Sequence, residues 1–127
     1  ILKVNLKKKT ILLHCVSSYP LQAKNCNFQK FDFLKNNFKN VGYSGHFQGI
    51  EDAVYALSKG AILIEKHFTT DKKLPGRDNK FALDHNEFLT LKNYKDLFKK
   101  FNTAKGIDLQ KCELDIFKNY RGRWSRN

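Results

Sequence analysis

Apolar positions along this chain fall alternately into short continuous runs and helical-period stripes. Thr10 to Val16 (TILLHCV) is an apolar, partly β-branched run of the kind that forms a buried parallel strand. Ser17-Ser18-Tyr19-Pro20 closes it, since Pro20 has no amide hydrogen with which to continue a ladder. Phe28, Phe31, Leu34 and Phe38 then recur at helical spacing and predict an amphipathic helix from about Asn25 to Lys39. Asn40 to Ser44 reads as a second, shorter strand, and Gly45 and Gly49 flank a turn. Ile50 to Lys59 reads as a helix with Ile50, Val54 and Leu57 on one face, stopped by Gly60 at the place expected of a C-cap. Ala61 to Phe68 is the third strand. Thr69 to Asp84 is a long polar loop containing Pro75-Gly76, and such loops are more often functional than idle. His85 to Phe101 is an amphipathic helix carrying Phe88, Leu91, Leu97, Phe98 and Phe101. Residues 1–9 read as a helix tail or loop, and Asn102 to Asn127 as a linker or peripheral arm with a basic end.

Strand starts recur at roughly 20–30 residues with helices between them, which is the rhythm of a βαβ repeat and places the chain in the α/β class. Three βα units cannot close an eight-stranded barrel and would leave strand edges unpaired. Together with a first residue Ile1 and no methionine, this suggests an excerpt of a longer product.

Composition narrows the picture in a few respects. No apolar stretch reaches the ~18 residues of a membrane span, and no leader resembles a secretion signal. Cys15, Cys26 and Cys112 are odd in number and lack C-x-x-C spacing, which suits a reduced cytoplasmic protein. The net charge of +12, from 24 Lys/Arg against 12 Asp/Glu, raises the possibility of an anionic partner. The lysines are dispersed, however, and no recognition helix or basic-aromatic stripe supports nucleic-acid binding.

Candidate chemistry centres on His46 and His67, each of which closes a strand-like segment. In a β/α repeat, polar groups at the carboxyl ends of consecutive parallel strands converge on one mouth. Strand alternation puts Leu63, Glu65 and His67 on one side and Ile62, Ile64 and Lys66 on the other. Ser44 and His46 likewise share a face, as do Cys15, Ser17 and Tyr19. Any one such histidine is most simply a hydrogen-bonded structural residue. The pair, with Glu65 and Ser44 beside it, points instead to a divalent metal site or an acid/base pair. Imidazole with oxygen ligands suits a borderline ion such as manganese. His14, inside an apolar strand, reads as a core residue and His85 as a surface one. Arg77 and Lys80 read as ordinary surface charges, and no cysteine has an activating neighbour.

Three ordered strings carry a more specific likeness: LLHCVSSYP (Leu12–Pro20), VGYSGHFQGIE (Val41–Glu51) and GAILIEKHFTTDKKLPGRDNKFALD (Gly60–Asp84). They closely resemble the last three βα units of the sialic acid (nonulosonic acid) synthase barrel, a (β/α)8 TIM barrel. The likeness spans about residues 10–100, with residues 1–101 as the partial barrel and 102–127 as a linker toward an antifreeze-like domain. It implies condensation of phosphoenolpyruvate with an N-acetylated mannosamine-type sugar, releasing phosphate, with a divalent metal, manganese or magnesium. By that resemblance His46 and His67 bind the metal, and Ser44 and Ser17 contact phosphoenolpyruvate. Glu65 lies beside the sugar's reacting end as the catalytic carboxylate, while Tyr19 and Asp78 bind the sugar.

The likeness has departures. Gly45 stands where many members carry Asp, LQAKNCN follows Tyr19-Pro20 in place of TPxEDxN, and NKFALDHNEF replaces the commoner HKASLxPxE. Sialic, legionaminic and pseudaminic acid precursors therefore all stay open as the acceptor. The family's phosphate-gripping lysines come from earlier units, and an arginine comes from the antifreeze-like domain across a homodimer. Neither lies in this chain, so the leading expectation is an enzyme fragment, with no nucleic-acid or membrane partner. The alternative is a non-catalytic remnant that binds sugar phosphate or a partner chain.

Overall fold

A computed structural model of the chain describes residues 10–122. The expected first segment, residues 1–9, and the last residues of the basic end lie outside the described residues. Three strands, β1 (Leu12–Cys15), β2 (Val41–Gly45) and β3 (Ile64–Lys66), form a parallel sheet in the order β1-β2-β3. Helices α1 (Phe28–Asn37) and α2 (Glu51–Ser58) connect them, and α3 (His85–Phe101) follows. The βα rhythm expected from the apolar pattern is therefore present, and each crossover returns to an adjacent strand.

Element ends differ from expectation for identifiable reasons. The first helix starts at Phe28, not Asn25, because Asn27 sits in the left-handed region at φ 49° and interrupts the chain's helical course. A separate 3₁₀ turn occupies Ala23–Asn25. The third strand is regular only over Ile64–Lys66, although Ile62 N donates to Val41 O and Tyr43 N donates to Leu63 O before it. Among the described residues it has one neighbouring strand, so one row of its backbone groups has no ladder to regularise it.

The segment from Thr69 to Asp84 corrects the sequence reading most. Its last part is not a solvated loop: Phe81, Ala82 and Leu83 are buried, and Leu83 is fully enclosed. Leu83 N donates to His67 O, and Thr69 N donates to Leu83 O. The loop thus folds back and is pinned to the end of β3, which fixes the backbone of His67.

The helices cover one face of the sheet. Phe31, Val41, Tyr43, Ala56 and Ala61 form one core cluster, between the sheet and α1 and α2. Ala53, Leu57, Leu83 and Leu91 form the second, which ties α3 to α2. His14, as expected, belongs to this interior, where its Nε2–H donates to Cys26 O at 2.8 Å. On the opposite face Cys15 and Glu65 are exposed and Leu63 is 38% exposed, so no second layer lies there among the described residues.

Beyond α3 a peripheral arm ends in α4 (Leu114–Tyr120), where Ile116 and Phe117 are exposed. No helix among the described residues is long and apolar enough to cross a membrane.

Candidate active site

The carboxyl ends of the three strands carry the residues singled out from the sequence, and the parallel register brings most of them together. Cys15 pairs with Ser44, and Ser44 with Glu65, so Ser44 sits centrally on the uncovered face. Its hydroxyl donates to Glu65 Oε1 at 3.0 Å. Ser44 is buried whereas Glu65 is exposed, so this carboxylate is held at one oxygen and open to solvent or ligand at the other.

One residue past β2, His46 is buried and its Nδ1 lies 2.9 Å from Val16 O. A carbonyl can only accept, so Nδ1 carries the proton and the lone pair of the neutral ring is on Nε2. The His67 ring approaches it edge-on with centroids 5.3 Å apart. Nδ1 of His67 faces Asp78 Oδ2 at 3.6 Å, which is ion-pair range but too long for a good hydrogen bond. The Tyr19 ring lies 4.3 Å from His46 and 6.1 Å from His67, and Phe81 closes the far side of His67 at 5.2 Å. Tyr19, His46, His67, Asp78, Ser44 and Glu65 thus line one mouth. Ser17 does not join them by any hydrogen bond: it is exposed on the loop after β1.

Among the described residues no three or more His, Cys, Asp or Glu side chains are grouped to hold a metal ion. The donor set nonetheless fits an open site. It offers two imidazoles, one fixed through its other nitrogen by a carbonyl and one facing a carboxylate, which is how protein metal ligands are usually oriented. Two protein donors leave positions for substrate and water.

A buried network behind the mouth went unrecognised in the sequence. Lys66 and Asp52 form an ion pair at 2.9 Å with both side chains only 1% exposed, and Tyr43 Oη–H donates to Asp52 Oδ2 at 3.0 Å. Burial, then the nearby Asp52 charge, pushes the Tyr43 hydroxyl far above the usual phenol range, so it stays protonated and donates. The same two causes raise the Cys26 thiol. The available signal was Lys66 itself, which shares a strand face with Ile62 and Ile64 and so had to be paired if buried.

The NeuB family matches residues 1–106. The chain belongs to the NeuB family. Among curated relatives, it is 41% identical over 87 residues to the N-acetylneuraminate-9-phosphate synthase of Drosophila melanogaster, covering 67% of this chain and 23% of that protein. It is 36% identical over 114 residues to the N,N'-diacetyllegionaminic acid synthase of Campylobacter jejuni, covering 89% of this chain and 33% of that one. A pseudaminic acid synthase of the same species matches at 34% over 110 residues, 86% of this chain and 31% of that protein. The solved N-acetylneuraminic acid synthetase of Leptospira borgpetersenii, in complex with citrate, superposes with a TM-score of 0.74 at 34% identity. That match covers 92% of this chain and 41% of the other. This NeuB family chain thus has a mixed α/β fold with a parallel sheet similar to sialic acid synthase structures. It spans about a quarter to a third of the curated relatives it matches.

Proposed function

We propose that the chain forms three βα units of a (β/α)8 barrel and supplies the metal-binding half of a nonulosonic acid synthase site. The reaction would be condensation of phosphoenolpyruvate with an N-acetylated mannosamine-type sugar, with release of phosphate. One observation carries the reading: His46 and His67 meet at the carboxyl ends of adjacent parallel strands, each two residues beyond a member of the hydrogen-bonded Ser44–Glu65 pair, with Asp78 facing His67. Membership of a family whose relatives are named as synthases of three nonulosonic acids supports this reaction class.

Nε2 of His46 and Nε2 of His67 would hold a divalent cation, manganese or magnesium. Bound there, the cation supplies Lewis acidity for an aldehyde oxygen. The rest of the work falls to the chain. Val16 O and Asp78 keep the two imidazoles oriented. Glu65, with Oε1 tied to Ser44, keeps its second oxygen free beside the sugar's reacting carbon, where it can take or return a proton. Ser44 and, on the exposed loop after β1, Ser17 would contact phosphoenolpyruvate. Tyr19 and Asp78 are about half exposed, and each offers oxygen to sugar hydroxyls at the rim of the mouth.

A second reading, a non-catalytic remnant that binds sugar phosphate or a partner chain, draws on the uncovered sheet face and the two-imidazole donor set. One assay separates the two. The polypeptide that carries this sequence is given phosphoenolpyruvate, the N-acetylated sugar and Mn²⁺, and phosphate release is followed. Sugar-dependent release is expected, with a loss of about 100-fold or more on His67→Gln, comparable to losing a metal ligand's chemistry. Unchanged turnover after both His67→Gln and chelation would sink the metal role, and no sugar-dependent release at all would favour the remnant.

A further inference from the structure

The two histidines are set from behind. Lys66 lies between Glu65 and His67 in sequence but points to the helix face, where its ammonium has three partners. It donates to Asp52 Oδ1 at 2.9 Å, to Asp52 Oδ2 at 3.2 Å and to Phe47 O at 2.7 Å. Asp52, in the first turn of α2, also accepts from Tyr43 Oη–H and from Ala53 N at 2.8 Å. Every donor and acceptor is used, and no buried side-chain nitrogen or oxygen among the described residues lacks a partner.

We propose that the Lys66–Asp52–Tyr43 network is a positioning device that fixes the separation of His46 and His67. Phe47 directly follows His46, and Lys66 directly precedes His67, so the 2.7 Å bond between them ties the two histidine-bearing segments together across strands. The other side of the His46 segment is pinned by Leu21 N, which donates to His46 O at 2.8 Å. Asp52 anchors the tie to α2 and Tyr43 anchors it to β2. A buried ion pair is a weak source of net stability, because the cost of desolvating both ions offsets their attraction. Its directional bonds are what an apolar pair of the same volume cannot reproduce. Gly45 shows that the chain keeps room for it: a Cβ there would collide with Asp52 Oδ2 and come within 2.7 Å of the Tyr43 ring and 3.0 Å of Lys66 Cδ.

The proposal rests on the reading of His46 and His67 as the metal-binding pair, and its test separates the two ideas. Ring-proton NOEs between His46 and His67 and between Tyr19 and His46 are measured on the isotopically labelled 127-residue chain, with Co²⁺ affinity measured in parallel. Both NOEs are expected in the parent chain. The apolar double variant Lys66→Met/Asp52→Leu is expected to keep cooperative unfolding and the Phe28–Phe31 contact, but to lose the His46–His67 NOE. Its Co²⁺ affinity should fall about tenfold or more, as for other residues that orient ligands from behind. Gly45→Ala, which removes no charge, should produce the same two losses. A folded double variant with unchanged NOE and affinity overturns the proposal. So does a double variant that no longer folds, since the network would then determine the fold instead of the spacing. A parent chain that shows the NOE yet binds no Co²⁺ would remove the metal reading and leave the spacing role standing.

Discussion

At the scale of the residue, the site is set by which atoms are already spoken for. His46 has committed Nδ1–H to Val16 O, so the nitrogen left with a lone pair, Nε2, follows from a backbone carbonyl and not from a chosen tautomer. Tyr43 and Cys26 show the same logic in titration. Burial is the first cause for each, and both are raised from ordinary values of 10.0 and 9.0. Each is therefore neutral in the fold at a pH where the unfolded chain has begun to ionise. The folded state then binds more protons than the unfolded one, and the stability these groups hold is complete below about pH 9 and drains away as pH rises further. Urea midpoints measured from pH 7 to pH 11 are expected to fall at the alkaline end, and to fall less in Tyr43→Phe than in the parent chain. Parallel curves for the two would mean that Tyr43 is not the titrating group.

At the scale of the element, the chain's apolar pattern was a good guide to existence and order and a poorer one to ends. α3 was legible residue for residue, and its structure says why: Asp84 accepts from Glu87 N at 2.9 Å while Glu87 accepts from Asp84 N at 2.9 Å, a reciprocal capping box. Asp84→Ala breaks it and is expected to cost ~1 kcal/mol in chemical denaturation. A change near zero would show that packing of Leu91 and Phe88 alone holds the helix start. Where the start depended on one backbone angle, as at Asn27, periodicity could not see it. Nor could polarity along Thr69 to Asp84 reveal that Phe81 to Leu83 return to the core, because the three residues that do so are too short a run to stand out. The mouth itself was legible because strand alternation puts Ser44 and Glu65 on one side of paired strands, and each histidine follows two residues on, just past its strand's end. The Lys66–Asp52 pair was not, because one partner lies on a helix and only three-dimensional packing brings it under the strand. Ser17 was placed with phosphoenolpyruvate by resemblance, and its exposed loop position makes no contact that bears on the point.

At the scale of the whole molecule, the described residues cover one face of a three-stranded parallel sheet and leave the other uncovered. Parallel sheets are ordinarily buried on both faces, and open strand edges invite pairing with another chain. Leu63 at 38% exposure and the outer edges of β1 and β3 are where that tendency is strongest. Against it stands a net charge of +12 on 127 residues, which holds copies apart over distances set by the salt. The two forces scale differently, which gives a test. Screening shortens the charge's reach from roughly 10 Å at 0.1 M salt to roughly 3 Å at 1 M, while the apolar face and the edges are unaffected. Sedimentation velocity of the 127-residue chain is therefore expected to show association that grows with added salt, opposite to the behaviour of a complex held by ion pairs. Leu63→Lys, which charges the uncovered face, should shift the association to higher protein concentration. A monomer at every salt concentration would mean that the uncovered face and edges are tolerated by a single copy, and that the +12 charge is not what keeps copies apart.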